Sequence, residues 1–142
     1  MPENAPIRIL SDSESWDLLS SVALGRLVTE AGGRARIFPV NFVVQNRSVL
    51  FRTAEGTKLV SSAMNNHVIF EADDHDTFGG WSVILEGDAR TLHTAEEIEE
   101  ADRAQLRPWV ANYKSHYVRI KPLSISGRRF IWGPEPEAPQ YG

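Results

Sequence analysis

Residues 35–59 read ARIFPVNFVVQNRSVLFRTAEGTKL. Phe38, Val40, Phe42 and Val44 fall on one side of an extended chain, the two-residue period of a long strand over residues 35–45. Asn46-Arg47 reads as a tight turn, and residues 48–53 as the strand that returns from it. In that second strand Val49, Phe51 and Thr53 point one way, while Leu50 and Arg52 point the other. The stretch therefore predicts a β-hairpin whose apolar side faces a core. Arg52 sits near its end, able to leave the wall.

The residues after the hairpin carry unusual chemistry. Arg52, Thr53, Thr57 and Lys58 stand within seven positions, and a short helix is predicted over residues 57–64. A helix N-terminus offers unpaired N–H groups and partial positive charge to an anion. Arginine adds a bidentate fork and lysine a point charge. Together they suit a phosphate monoester; taken singly, each also reads as a surface arginine, an N-capping threonine or a solvated lysine. Pro39 raises a second question, because a proline removes a ladder donor and belongs at a strand edge or bulge. The backbone around Pro39, Val40 and Asn41 is then free to meet the edge of a flat, hydrogen-bonding ring. A structural bulge with a satisfied Asn41 is the alternative.

Working outward, Ser11 and Glu14 form a capping box that opens a helix carrying Trp16, Leu19 and Ala23, with Gly25 ending it or the turn that follows. A strand over residues 26–30 and a turn at Ala31-Gly32-Gly33 lead into the central hairpin. Further strands are expected over residues 68–72, 81–92, 116–122 and 124–132. Residues 73–80 read as a polar loop, and Gly87 as a bulge or close backbone contact. Thr94 and Glu97 repeat the capping box for a helix to about residue 106. Six or seven mostly antiparallel strands with three short helices predict a mainly β single domain. A closed barrel is its natural form, because closure removes exposed edges. Its core spans about residues 9–132, followed by a loose, proline-rich tail over 133–142.

Composition narrows the function. The chain has 142 residues, 15 basic against 19 acidic, and no cysteine. Spread charge of net −4 argues against a nucleic-acid or anionic-membrane surface. No disulfide or cysteine-liganded zinc can form, and His67, His75, His93 and His116 lack ligand spacing, so no metal site is expected. Residues 73–76 read better as a solvated loop than as a cation site. No run reaches the ~18 apolar residues of a membrane helix, and the N-terminus does not read as a signal peptide. The expectation is a cytoplasmic protein. Trp81, after Gly79-Gly80 and before Ser82, is expected either to cover a planar ligand or to pack in a core or interface.

Gly25-Arg26-Leu27, Phe38-Pro39-Val40-Asn41-Phe42, Leu50-Phe51-Arg52-Thr53, Gly56-Thr57-Lys58-Leu59, Phe70-Glu71 and Gly80-Trp81-Ser82-Val83 resemble, in order and spacing, the pyridoxamine 5′-phosphate oxidase-like family. Within it they are most similar to the small bacterial and actinobacterial flavin-binding members. The resemblance implies a split β-barrel of the FMN-binding type and a homodimer with two flavin sites at the subunit interface. It places Arg52, Thr53, Thr57 and Lys58 at the FMN phosphate, and Pro39, Val40 and Asn41 along the isoalloxazine edge. Trp81 and Ser82 reach the ring or the partner subunit. It further implies an FMN-dependent oxidoreductase acting on a small organic substrate. A deazaflavin-dependent reductase, or a non-catalytic flavin- or haem-binding protein on the same barrel, stands as the alternative.

Two departures from the family's better-defined branches are visible. The basic set that binds substrate phosphate in a true pyridoxamine phosphate oxidase has only Arg128-Arg129 to stand for it. The nitroimidazole-resistance branch carries a histidine where this chain has Arg52. No catalytic acid or base is assigned. Tyr113, His116 and Tyr117 are the substrate-side groups to consider, and His67 and His116 the histidines a haem would need.

Overall fold

The structure, a computed structural model, describes residues 5–53, 66–106 and 116–139. The central hairpin forms as the alternation requires. Strand β3 (Arg34–Gln45) turns through Asn46-Arg47 into β4 (Ser48–Thr53), with Phe42 opposite Phe51 and Gln45 opposite Ser48. Both turn residues have positive φ, 52° and 50°, which is the backbone a two-residue hairpin loop demands. Asparagine tolerates it; an arginine in the second place gives up ~1–2 kcal/mol that glycine would not.

Around this hairpin, β2 (Leu24–Ala31), β5 (Asn66–His75), β6 (Gly79–Thr91) and β7 (His116–Ile131) complete an antiparallel ring in the order β7-β4-β3-β2-β5-β6, which β6 closes back onto β7. The seventh strand, β1 (Ile7–Ile9), adds to the far half of β7. Strand β7 is the spine. One of its edges takes β4 and then β1, while the other runs along β6. The predicted barrel is thus present, with seven strands among the described residues.

The inner face is apolar and closed. Leu27, Phe42, Phe51, Phe70, Val83, Leu85, Val118 and Ile120 are almost fully buried, and Phe42 meets Phe70 edge-to-face at 4.7 Å between centroids. Helix α1 (Asp12–Leu19) packs on β7 and β6 and sends Trp16 and Leu19 into this core. Helix α2 (Ala95–Arg103) closes a smaller apolar cluster on the outer side of the wall, where Leu50, Leu92, Ala101 and Leu106 meet. Both expected capping boxes are formed, Ser11 with Glu14 and Thr94 with Glu97.

Several boundaries differ from the sequence reading, each for a local reason. Helix α1 stops at Leu19 because Ser20 and Ser21 turn their hydroxyls back to the carbonyls of Trp16 and Leu18. Gly25 lies inside β2 rather than ending an element: a Cβ there would stand 2.2 Å from the Phe70 ring, so only glycine admits that ring. Residues 73–75, read as loop, continue β5 because β6 offers them a full ladder, Asp73 to Ser82 and His75 to Gly80. Gly79 and Gly80 accordingly belong to β6. The two last expected strands are one, interrupted by a bulge opposite Glu86 and Gly87. Pro122 needs no ladder donor there, and Gly87 gives room for the Lys121 carbonyl, 2.2 Å from where a Cβ would be. Helix α2 ends at Arg103, since Gln105 takes a positive φ of 55°. The predicted helix over residues 57–64 lies outside the described residues.

Candidate functional site

The hydrogen-bonding alternation of β3 decides what Pro39 does. Phe42 N–H donates to Ala23 O at 2.9 Å, so every second residue from Phe42 turns its backbone toward β2. Pro39, opposite Arg26, is of the other parity and turns its nitrogen to the far edge. Strand β4 pairs only with residues 42–45, so this edge at Pro39 lies beyond the ladder. Among the described residues the proline therefore sits beyond the β3–β4 ladder, where its missing donor leaves no bond unmade. The Val40 side chain is in the core, 8% exposed, and its backbone, of Phe42's parity, turns toward β2, so the backbone facing the far edge is that of Pro39 and Asn41. Asn41 is half-buried on the outer face, opposite Leu24.

Arg52 stands one position beyond the last β3–β4 pair, on the row of Asn41. It is half-buried, opposite Tyr117, with its guanidinium carbon 5.0 Å from the centre of that ring. Tyr117 in turn donates its hydroxyl to Asp102 Oδ1 at 2.6 Å, and burial followed by that hydrogen bond pushes the phenol above its ordinary pKa. The arginine is thus seated by α2 through the tyrosine. Thr53 is buried at the strand end, opposite His116. Pro39, Asn41, Arg52 and Thr53 come together at one end of the hairpin. Thr57, Lys58 and Tyr113 lie outside the described residues.

Trp81 and Ser82 are elsewhere. They belong to β6, which reaches β4 through β7, but Trp81 pairs with Arg129 whereas Arg52 pairs with Tyr117, ~40 Å apart along β7. Trp81 is 7% exposed and packs in the core. With Ser82, Phe130, Trp132 and residues 73–75 it lines a cleft of about 510 Å³ at the barrel end. The Trp132 indole N–H donates to Asp76 O at 2.9 Å and ties the end of β7 to the β5–β6 turn.

One cluster escaped the sequence reading. On the outer face, Arg26 Nη1 lies 2.8 Å from Glu71 Oε1 and 3.3 Å from Asp73 Oδ2. Burial, then the neighbouring Asp73 carboxyl, outweighs the arginine and lifts the Glu71 pKa to about 7. Arg26 and Glu71 are 45 residues apart, and only the β2–β5 register brings them opposite one another. Ile37, Ile69 and Ile84 surround this cluster, exposed at 66%, 40% and 47%. Among the described residues no group of three or more His, Asp or Glu side chains could hold a metal ion, and no helix is long and apolar enough to cross a membrane.

The family described as pyridoxamine 5′-phosphate oxidase matches residues 11–129. An uncharacterized protein of Mycobacterium tuberculosis is 53% identical over 98 residues, 69% of this chain and 89% of its own length. The solved structure of a protein from Mycobacterium smegmatis described as FAD binding is 60% identical, with a TM-score of 0.81 over 87% of this chain and 98% of that one. A Corynebacterium glutamicum structure, provisionally described as a pyridoxamine 5′-phosphate oxidase, is 38% identical with a TM-score of 0.82, covering 94% and 100%.

Proposed function

The chain belongs to the pyridoxamine 5′-phosphate oxidase family, and from that membership we propose that it is a flavin-binding oxidoreductase acting on a small organic substrate. The observation that carries the reading is the gathering of Pro39, Asn41, Arg52 and Thr53 at one end of the β3–β4 hairpin. Its donor set fits the FMN half of a flavin nucleotide. Arg52 and Thr53, joined by Thr57 and Lys58, take the phosphate. The segment Pro39-Val40-Asn41, through the backbone of Pro39 and Asn41, lies along the ring edge. A bound flavin supplies hydride and single-electron chemistry, and the protein supplies position and electrostatics. FMN is the smallest ligand satisfying this set. FAD, which contains the same half, is the second reading, favoured by the 60%-identical relative described as FAD binding.

The proposal includes a homodimer. Trp81 and Arg52 pair with Arg129 and Tyr117, ~40 Å apart along β7, so the participation of Trp81 and Ser82 in one site with Arg52 calls for a second copy. The outer face bearing Ile37, Ile69 and Ile84 supports that partner: Ile37 on β3 and Ile69 on β5 flank Val28 of β2, Ile84 follows on β6, and the patch is suited to burial.

The test is the double variant Arg52→Ala with Lys58→Ala, titrated with FMN and FAD. Each substitution removes a charge-assisted contact of ~1.5–3 kcal/mol, so affinity should fall by several kcal/mol. Unchanged affinity for both nucleotides would show that the phosphate end is misassigned.

A further inference from the structure

A second set of cations lies away from the flavin residues. Arg47, Arg90, Arg119 and Lys121 line a groove of about 580 Å³ between the β3–β4 turn, α2 and the β6–β7 ladder. It begins at Ser48, four residues along β4 from Arg52 and ~13 Å away. We propose that this groove binds a small molecule carrying a doubly charged phosphate or a pyrophosphate.

Two local rules are broken here, and both breaks bring positive charge to the same place. Arg90 and Arg119 are direct cross-strand partners, an arrangement of like charges that opposes pairing. Arg47 occupies the positive-φ turn position, φ 50°, that hairpins ordinarily give to glycine. Conflicts between local preference and fold concentrate at functional sites.

All of these cations but Arg90 are also positioned without an ion-pair partner among the described residues. Arg119 donates to Ser48 Oγ at 2.7 Å and to Gln45 Oε1 at 2.8 Å, both uncharged acceptors. Gln45 is itself fixed by donating to the Glu100 carbonyl at 2.7 Å. Arg47 donates to the Ser13 hydroxyl at 3.0 Å. The groove also carries three carboxylates, of which Asp88 stands opposite Lys121 in the β6–β7 ladder. Glu97 pairs with Arg90, Asp88 lies 3.4 Å from His67 Nδ1, and Glu100 Oε1 accepts from the Asn46 amide at 2.7 Å. Among the described residues Arg47, Arg119 and Lys121 form no ion pair with a carboxylate, so three cations converge on one open volume. Guanidinium forks held in this way match phosphate oxygens.

Calorimetric titration of the full chain with inorganic pyrophosphate tests the inference. Saturable binding at one per chain is expected, weakened at least about tenfold in Arg119→Gln/Lys121→Gln. Lys121→Gln alone, at an exposed side chain, gives a several-fold loss and keeps the test open where the double variant folds poorly. No saturable binding by the unsubstituted chain, or equal affinity in the Lys121→Gln and double variants, overturns the proposal. So does binding that survives in the groove variants and vanishes in Arg52→Ala. Because the groove shares no residue with the flavin set, a chain that binds no flavin can still pass this test, and the reverse.

Discussion

The two faces of the barrel wall obey different rules. On the inner face every level agrees. Alternation, burial and shape all place Phe42, Phe51, Phe70, Val83 and Leu85 in one closed core, and a glycine at position 25 makes way for the Phe70 ring. On the outer face the preferences collide. A proline interrupts β3, an arginine sits in a glycine's turn position, two arginines face each other, and a carboxyl is held close to neutrality. Fold specification lives inside, where hydrophobic burial is the main driving force. Asn41 and Arg52 of the candidate site lie outside, where local preferences are overridden.

Substitutions on the two faces should therefore separate stability from binding. The largest effect is expected inside. Phe70→Ala removes a fully buried ring together with its edge contact to Phe42, and should destabilise the fold by ~3–5 kcal/mol in denaturant unfolding. A loss below about 1 kcal/mol would mean that the inner face is not the stabilising one. On the outer face Ile84→Asp should leave each chain's unfolding within about 0.5 kcal/mol while converting a dimer to a monomer in sedimentation. A dimer indifferent to that change would move the interface elsewhere.

The Arg26, Glu71 and Asp73 cluster gives a subtler contrast. Glu71 binds its proton more tightly folded, at about 7, than unfolded, near the ordinary 4.5. Its contribution to stability is complete below the unfolded value and is lost as pH rises through the folded one. Stability should thus decline between about pH 4.5 and 7 by a component that Glu71→Gln removes. His67, raised by its contact with Glu86, slopes the same way, so the comparison must be between the variant and its parent. Identical pH profiles for the two would contradict the account of the cluster. The smallest effect belongs to the helix plugging the barrel. Ser11→Ala removes an N-cap and one half of a capping box, worth ~1 kcal/mol.

This division also explains what could be read from the chain. The β3–β4 hairpin, both capping boxes and the Gly87 bulge were legible because each signal is local: an alternation, a four-residue spacing, a glycine inside a strand. The place of Pro39 beyond the β3–β4 ladder was legible for the same reason. The continuity of β7 through Pro122 and the strand character of residues 73–75 were not, because both depend on β6 lying alongside. The pairing of Arg26 with Glu71 and of Arg90 with Arg119 was likewise hidden, since sequence neighbours give no hint of which residues a ring of strands will oppose. Of the site, the hairpin end assembled from its own spacing. That Trp81 and Ser82 stand ~40 Å along β7 from Arg52 emerged only with the register.

The most direct measurement is a titration of the purified chain with FMN, FAD, the deazaflavin coenzyme and haemin, followed by absorbance, with mass determined on the same sample. The account predicts saturation by FMN or FAD at one per chain, on a species of twice the chain mass. A monomer that binds neither nucleotide, or a chain that takes only haemin or the deazaflavin, would contradict it.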